Sequence, residues 1–158
     1  MNDKIQPTAG ARRKPQSTRP HDTRPANFAD LMRLQGGSSA VDAIRVGFPA
    51  DMIKDAGIYF DVPAQRIRHI TRLPETTAHT LVKRGALMDA AASERIWRLA
   101  DIMGLAHQVF ADEDAAKAWL RTPNLTFEDA APMDYLDTEP GAMAVRQVLN
   151  AIATGGAL

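Results

Sequence analysis

The sequence contains no cysteine, which excludes a disulfide framework and a thiolate metal site. This absence fits the reducing cytoplasm, where we expect the protein to reside. No apolar run approaches the roughly 20 residues needed to span a bilayer, so we expect no contact with the membrane. The first residues are basic but no apolar stretch follows them, which argues against a secretory signal.

The sequence also lacks the motifs of common catalytic sites. Its four histidines are scattered without the spacing of metal ligands, and no zinc-protease, phosphate-loop or nucleophile-elbow motif occurs. The acidic run Asp112–Asp114 is explained by a helix start, where carboxylates are favourable. We therefore expect no catalytic residues, no metal and no cofactor, and a protein that is not an enzyme.

Charge is distributed unevenly, although the formal net charge is zero. Residues 1–27 carry six basic and two acidic side chains, residues 28–98 carry ten and eight, and residues 99–158 carry three and nine. This gradient suggests that the N-terminal part meets a polyanion and the C-terminal part a different partner. A solvated basic tail beside an acidic domain would give the same gradient.

The N-terminal stretch has the composition of a disordered tail. Residues 1–27 include four prolines and almost no apolar side chains, so they cannot bury enough surface to offset the entropy of ordering. We predict a disordered basic tail over residues 1–36.

From Ser38 onwards the apolar residues follow helical spacing, and no segment indicates a strand. Gly57 is expected to end a helix before a brief apolar run at Ile58–Phe60, and Asp61 to cap the next one. The fold class is thus all-α, with two helical units joined through a long helix. The predicted helices are 38–47, 49–57, 63–71, 74–84, 93–110, one capped by Asp112, and one from Thr138 to Gly155, with a short turn over Pro132–Leu136.

The helices 63–71 and 74–84 have the arrangement of a helix–turn–helix, whose second helix enters the major groove of DNA. The usual motif has a small residue and a turn glycine where Arg68 and Arg72 stand, so a plain helical hairpin with a solvated polar face remains the alternative. The candidate DNA-binding residues are Arg68, Arg72, Thr76, Thr77, His79, Thr80, Lys83 and Arg84.

The second half of the chain resembles the toxin-binding domain of Xre/MbcA/ParS-type antitoxins. The resemblance lies in Val109-Phe110, Asp112–Ala115, Trp119–Asn124 and Pro132–Thr138, followed by Gly141, Val145, Leu149, Ile152 and Gly155. Residues 38–92 resemble the degenerate helix–turn–helix domain that precedes it in this family. The resemblance therefore implies a tail over 1–36, an Xre-like helix–turn–helix domain over 37–92 and a toxin-binding domain over 93–158.

The resemblance implies an antitoxin that binds an NAD-consuming RES-domain toxin and covers its active site with the C-terminal helix and the residues after it. It also implies a homodimer, within a higher-order complex, that represses its own operon by binding operator DNA. The flexible tail at 153–158, ending in the carboxylate of Leu158, would act as a plug. The candidate toxin-binding residues are Trp119, Pro123, Asn124, Asp134, Ile152, Thr154, Gly155, Gly156, Ala157 and Leu158.

Several alternatives stay open at this level. Trp119 has the spacing of a core residue, and Asp134 has a position from which it would bond free helix amides. Glu128-Asp129 stand where the family usually has two glycines, so the loop 124–131 is expected to take a different path. Two other hypotheses about function stay open. The protein is a stand-alone helix–turn–helix regulator with a helical oligomerisation domain, or it is a toxin inhibitor with a vestigial helix–turn–helix.

Overall fold

The computed structural model describes residues 24–34 and 36–156. Across these residues it contains no β-strand, only one isolated bridge between Pro49 and Leu87, so the all-α prediction is confirmed. Two 3-10 turns, Leu125–Phe127 and Pro132–Asp137, lie between the last two helices. The helices are α1 (Phe28–Leu31), α2 (Ser38–Val46), α3 (Met52–Phe60), α4 (Ala64–Thr71), α5 (Glu75–Lys83), α6 (Ala90–Phe110), α7 (Glu113–Arg121) and α8 (Glu139–Ala153).

Helix α6 is the centre of the fold and packs against α2, α4, α7 and α8. Apolar side chains recur along it at helical steps, and several of them are fully buried, among them Ile96, Leu99 and Met103. The helix begins three residues before the predicted start, because the side chain of Asp89 accepts a hydrogen bond from the Ala92 amide at 2.7 Å.

The N-terminal part departs from the sequence prediction. Helix α1 lies inside the region predicted to be disordered, and Phe28 and Leu31 are each only 1% exposed. The ring of Phe28 lies 5.2 Å from that of Tyr59 and 5.5 Å from that of Phe60, so the prediction was wrong for this helix. The remainder of the predicted tail, residues 1–23, lies outside the described residues. The boundary between residues 92 and 93 stays a prediction.

Helix α3 continues through Gly57, which was wrongly predicted to end it. A Cβ atom at Gly57 would lie 3.0 Å from the carbonyl oxygen of Val62, so the glycine permits the next segment to pack closely. The helix ends instead at Asp61, which adopts a left-handed conformation (φ 54°). Asp61 therefore closes α3 rather than capping α4, which follows Pro63.

The predicted starts of the last two helices are confirmed, whereas α3 begins at Met52 and not at Pro49 as predicted. The side chain of Asp112 accepts a hydrogen bond from the Ala115 amide at 2.6 Å, and that of Thr138 accepts one from the Gly141 amide at 3.2 Å. The predicted turn after Ala131 is the 3-10 segment Pro132–Asp137, which packs against α4, α6, α7 and α8.

Candidate functional site

An open, mostly apolar groove lies between the end of α7, the following loop and the end of α8. Its volume is about 470 Å³. We call it the α7–α8 groove; it is lined by Ala118, Trp119, Thr122, Pro123, Asn124, Thr126, Val148 and Ile152. Four residues that the sequence predicted to bind the toxin therefore meet at one surface, namely Trp119, Pro123, Asn124 and Ile152.

A chain of aromatic rings supports one wall of the groove. Trp119 lies 5.8 Å from Phe110 and 6.2 Å from Phe127, and Phe127 lies 5.2 Å from Tyr135, measured between ring centroids. Trp119 is half-buried, so it contributes both to the core and to the exposed groove. The two interpretations of this residue, packing and binding, are thus compatible in the structure.

The loop that borders the groove is held by its own hydrogen bonds. The backbone amide of Asn124 donates to the carbonyl oxygen of Ala130, and the Asn124 carbonyl oxygen accepts from the amides of Phe127 and Asp129. The side chain of Asn124 accepts a hydrogen bond from the Thr126 amide at 3.1 Å. Glu128 and Asp129 both have positive φ angles, 53° and 64°. They therefore adopt the region that glycine favours, at a cost of roughly 1–2 kcal/mol per residue, somewhat less for Asp.

Asp134, which was also predicted to bind the toxin, is engaged within the chain. Its two carboxylate oxygens accept hydrogen bonds from Nε and Nη2 of Arg66 at 2.9 and 2.8 Å, a bidentate pair. Arg66 also donates to the carbonyl oxygen of Arg121 at 3.3 Å. Asp134 is not among the residues lining the α7–α8 groove, and its partner shows that it fastens the 3-10 segment to α4.

Further arginines converge on the same 3-10 segment. Arg72 donates from Nη2 to the carboxylate of Asp137 at 2.9 Å, and Arg95 donates to the carbonyl oxygen of Asp137 at 3.3 Å. Arg98 donates to the carbonyl oxygen of Leu136 at 3.0 Å. Side chains from α4, from its C-terminal cap and from α6 therefore satisfy polar groups of the 3-10 segment.

The predicted DNA-binding residues fall into two groups. Arg68 lies 3.5 Å from Glu75 in an ion pair, and Arg72 pairs with Asp137, so both are engaged within the chain. Arg72 occupies the turn between α4 and α5 with φ 55°, the conformation that the glycine of the usual motif would adopt. The remaining six are exposed on α5 or directly after it: Thr76, Thr77, His79, Thr80, Lys83 and Arg84.

The end of α8 agrees with the predicted glycine stop. Gly155 has φ 64°, and the amide of Gly156 bonds the carbonyl oxygen of Ala151 at 2.8 Å. Of the tail predicted to bind the toxin, residues 154–156 are exposed, and Ala157 and Leu158 lie outside the described residues.

A polar cluster joins α3 to α7. Nζ of Lys117 lies 2.6 Å from the carboxylate of Glu113 and 4.1 Å from the ring centroid of Tyr59. The hydrogen bond from Lys117 lowers the pKa of Glu113, while burial and then the negative charge of Glu113 raise the pKa of Tyr59. Tyr59 thus remains a neutral phenol, and the cluster works as a cross-link between two helices.

The described residues offer neither a metal-binding cluster nor a membrane-spanning helix. No group of three or more His, Asp or Glu side chains in residues 24–34 and 36–156 is placed to hold a metal ion. None of the helices in this part of the chain is both long enough and apolar enough to cross a membrane.

Leu125 is a residue of this surface that sequence reasoning missed. It is 85% exposed, and its neighbours Asn124 and Thr126 both line the groove. The only signal in the sequence was an apolar residue within a loop, which does not reveal whether the side chain faces the core or the solvent.

The similarity to known proteins covers the elements that form the α7–α8 groove. Residues 105–155, which include α7, the loop and α8, match the family model described as the antitoxin Xre/MbcA/ParS C-terminal toxin-binding domain. A protein named Antitoxin Xre from Yersinia enterocolitica is 28% identical over 120 residues, covering 75% of this chain and 81% of that protein. A second Antitoxin Xre, from Pseudomonas putida, is 33% identical over 83 residues, 52% of each chain, so the match spans about half of that relative.

The described residues are thus all-helical, and residues 105–155 are similar to the toxin-binding domain of known antitoxins. The matches support an antitoxin of the Xre/MbcA/ParS type.

Proposed function

We propose that this chain neutralises a cognate RES-domain, NAD-consuming toxin by binding it through the α7–α8 groove and covering its active site. The observation that carries this proposal is the convergence of Trp119, Pro123, Asn124 and Ile152 on one exposed apolar surface inside the matched domain. Exposed apolar surfaces with a polar border are typical of protein-binding sites.

The groove is tested by substituting one exposed residue of α8 that lines it and one that does not. Ile152→Ala should weaken binding to the product of the neighbouring reading frame by about tenfold, because it removes apolar area from the centre of the contact. Met143→Ala is the control, since Met143 is also exposed on α8 but does not line the groove. Affinities are measured by titration calorimetry. If both variants bind as tightly as the wild type, the groove is not part of the interface.

Deleting residues 153–158 in the same system tests whether the C-terminal tail covers the active site of the toxin. We expect toxin activity to return while the helical signal in circular dichroism stays unchanged, because α8 ends at Ala153 and residues 154–156 are exposed. Full neutralisation by the shortened chain would show that the tail is not the plug.

We further propose that the protein, as a homodimer, represses its own operon through α5. Only Ala78 is buried in this helix, so its polar and basic side chains are available for DNA. If Lys83 and Arg84 each neutralise one phosphate, replacing both by alanine should reduce the slope of log affinity against log salt by about 1.8. A gel shift with the operon promoter over a range of salt measures this slope, with Lys54→Ala on α3 as the control.

An unchanged slope would remove Lys83 and Arg84 from the interface. The absence of any promoter shift would favour an inhibitor with a vestigial helix–turn–helix. A promoter shift without any binding to the neighbouring gene product would favour a stand-alone regulator. The mass of the free protein in solution tests the dimer.

A further inference from the structure

Leu125 is the most exposed large apolar side chain among the described residues, at 85%, ahead of Ile58 at 70%. A single exposed leucine is common in soluble proteins and indicates nothing alone. Leu125 differs because the backbone that carries it is rigidly held, so its position relative to the groove is fixed before any partner arrives.

Four hydrogen bonds close the loop around Leu125. The Asn124 side chain accepts from the Thr126 amide, the Asn124 carbonyl accepts from the amides of Phe127 and Asp129, and the Leu125 carbonyl accepts from Glu128. Phe127 is buried and its carbonyl oxygen accepts a hydrogen bond from the hydroxyl of Tyr135 at 3.2 Å. The loop also retains two residues in the left-handed region, a strained backbone of the kind that is often kept at functional surfaces.

The loop itself carries charge of one sign, from Glu128 and Asp129. All three basic side chains of residues 99–158 are held in ion pairs, Lys117 with Glu113, Arg121 with Asp61 and Arg146 with Asp101. In contrast, neither Glu128 nor Asp129 forms an ion pair with any described residue. The loop therefore presents an apolar tip beside two uncompensated carboxylates.

We propose that Leu125 is an anchor of the antitoxin–toxin interface that inserts into an apolar pocket of the toxin, and that Lys or Arg side chains border this pocket. The inference rests on the proposed function and adds to it a residue that determines which toxin is bound. A few side chains seated in well-packed pockets carry most of the affinity of protein interfaces, and complementary charges at the border set the partner and the rate of association.

The anchor is tested with purified full-length chain and the product of the neighbouring reading frame. Leu125→Ala should weaken binding by about tenfold to a hundredfold without changing the melting temperature, since the side chain makes little contact with its own fold. Ile58→Ala, the matched control on α3, should bind as the wild type does.

The charge of the border is tested by Asp129→Asn, which removes one carboxylate while keeping a residue that tolerates a positive φ. We expect slower association at low salt, by about two- to fivefold, and a smaller effect of added salt than in the wild type. Asp42→Asn on α2, also exposed, is the control.

The outcomes separate this inference from the function on which it rests. If the wild type binds and Ile152→Ala weakens the complex while Leu125→Ala does not, the anchor is wrong and the antitoxin function stands. If Leu125→Ala weakens binding but Asp129→Asn leaves the association rate and its salt dependence unchanged, the basic border is wrong. If the wild type binds no product of its neighbouring gene, both the function and the anchor fall.

Discussion

A Gly141→Ala variant should be less stable than the wild type by about 2–4 kcal/mol in free energy of unfolding. Gly141 is buried in the first turn of α8, directly against the 3-10 segment. A Cβ atom there would overlap the carbonyl oxygen of Tyr135 and approach the hydroxyl of Thr138 to 3.0 Å. Because backbone atoms are the obstacle, the segment itself would have to move away from α8.

Urea denaturation followed by circular dichroism measures this loss. Gly104→Ala is the matched control, since Gly104 also lies in a helix but a Cβ there would meet no atom within 4 Å. That variant should be more stable than the wild type by about 0.5–1 kcal/mol, because alanine is the better helix former. If Gly141→Ala unfolds at the wild-type urea concentration, the close contact between Tyr135 and α8 is wrong.

Arg98→Ala should give the second large effect, a loss of about 2–3 kcal/mol. The residue is 6% exposed, and its guanidinium donates to both carboxylate oxygens of Glu94 at 2.7 Å and to the Leu136 carbonyl at 3.0 Å. Removing it leaves these acceptors without their donor in a site that water reaches poorly. Glu94 is itself 37% exposed, so solvent screening keeps the loss below that of a fully buried pair.

The control for this effect is Arg45→Ala, which removes an exposed ion pair with Asp42 at 3.7 Å and should change stability by less than about 0.5 kcal/mol. The midpoint of urea unfolding is compared for the two variants at one pH. Equal midpoints would show that the Arg98 contacts add no net stability.

The parts of the fold that sequence predicted correctly depend on local interactions. Asp112 and Thr138 bond amides three residues ahead, so the spacing that specifies each cap is contained in the sequence. The long helix was likewise visible in its apolar period, because its buried side chains recur at each turn.

The errors occurred where packing between two segments, near or distant in the chain, decides the structure. Phe28 appeared isolated in a proline-rich stretch, yet it packs on Tyr59 and Phe60, some thirty residues later. Gly57 appeared to be a helix stop, but the following segment needs it for close packing. Composition and periodicity carry no information on such contacts.

The candidate site also contains residues that the sequence identified and residues whose surroundings it did not reveal. Trp119, Pro123, Asn124 and Ile152 lie at one groove, and their role in toxin binding stays a prediction. Asp134 instead pairs with Arg66, 68 residues earlier in the chain. Leu125 was missed because exposure depends on the path of the loop, which two residues in an unusual backbone conformation determine.

The arginines that bind the 3-10 segment also limit how far this antitoxin can be divided. Arg66, Arg95 and Arg98 all precede residue 105, where the matched domain begins, so a fragment starting there would leave their acceptors exposed to water. The matched range 105–155 therefore begins inside α6 and lacks three arginines that bind its 3-10 segment. A fragment that keeps these contacts has to include α4 and α6.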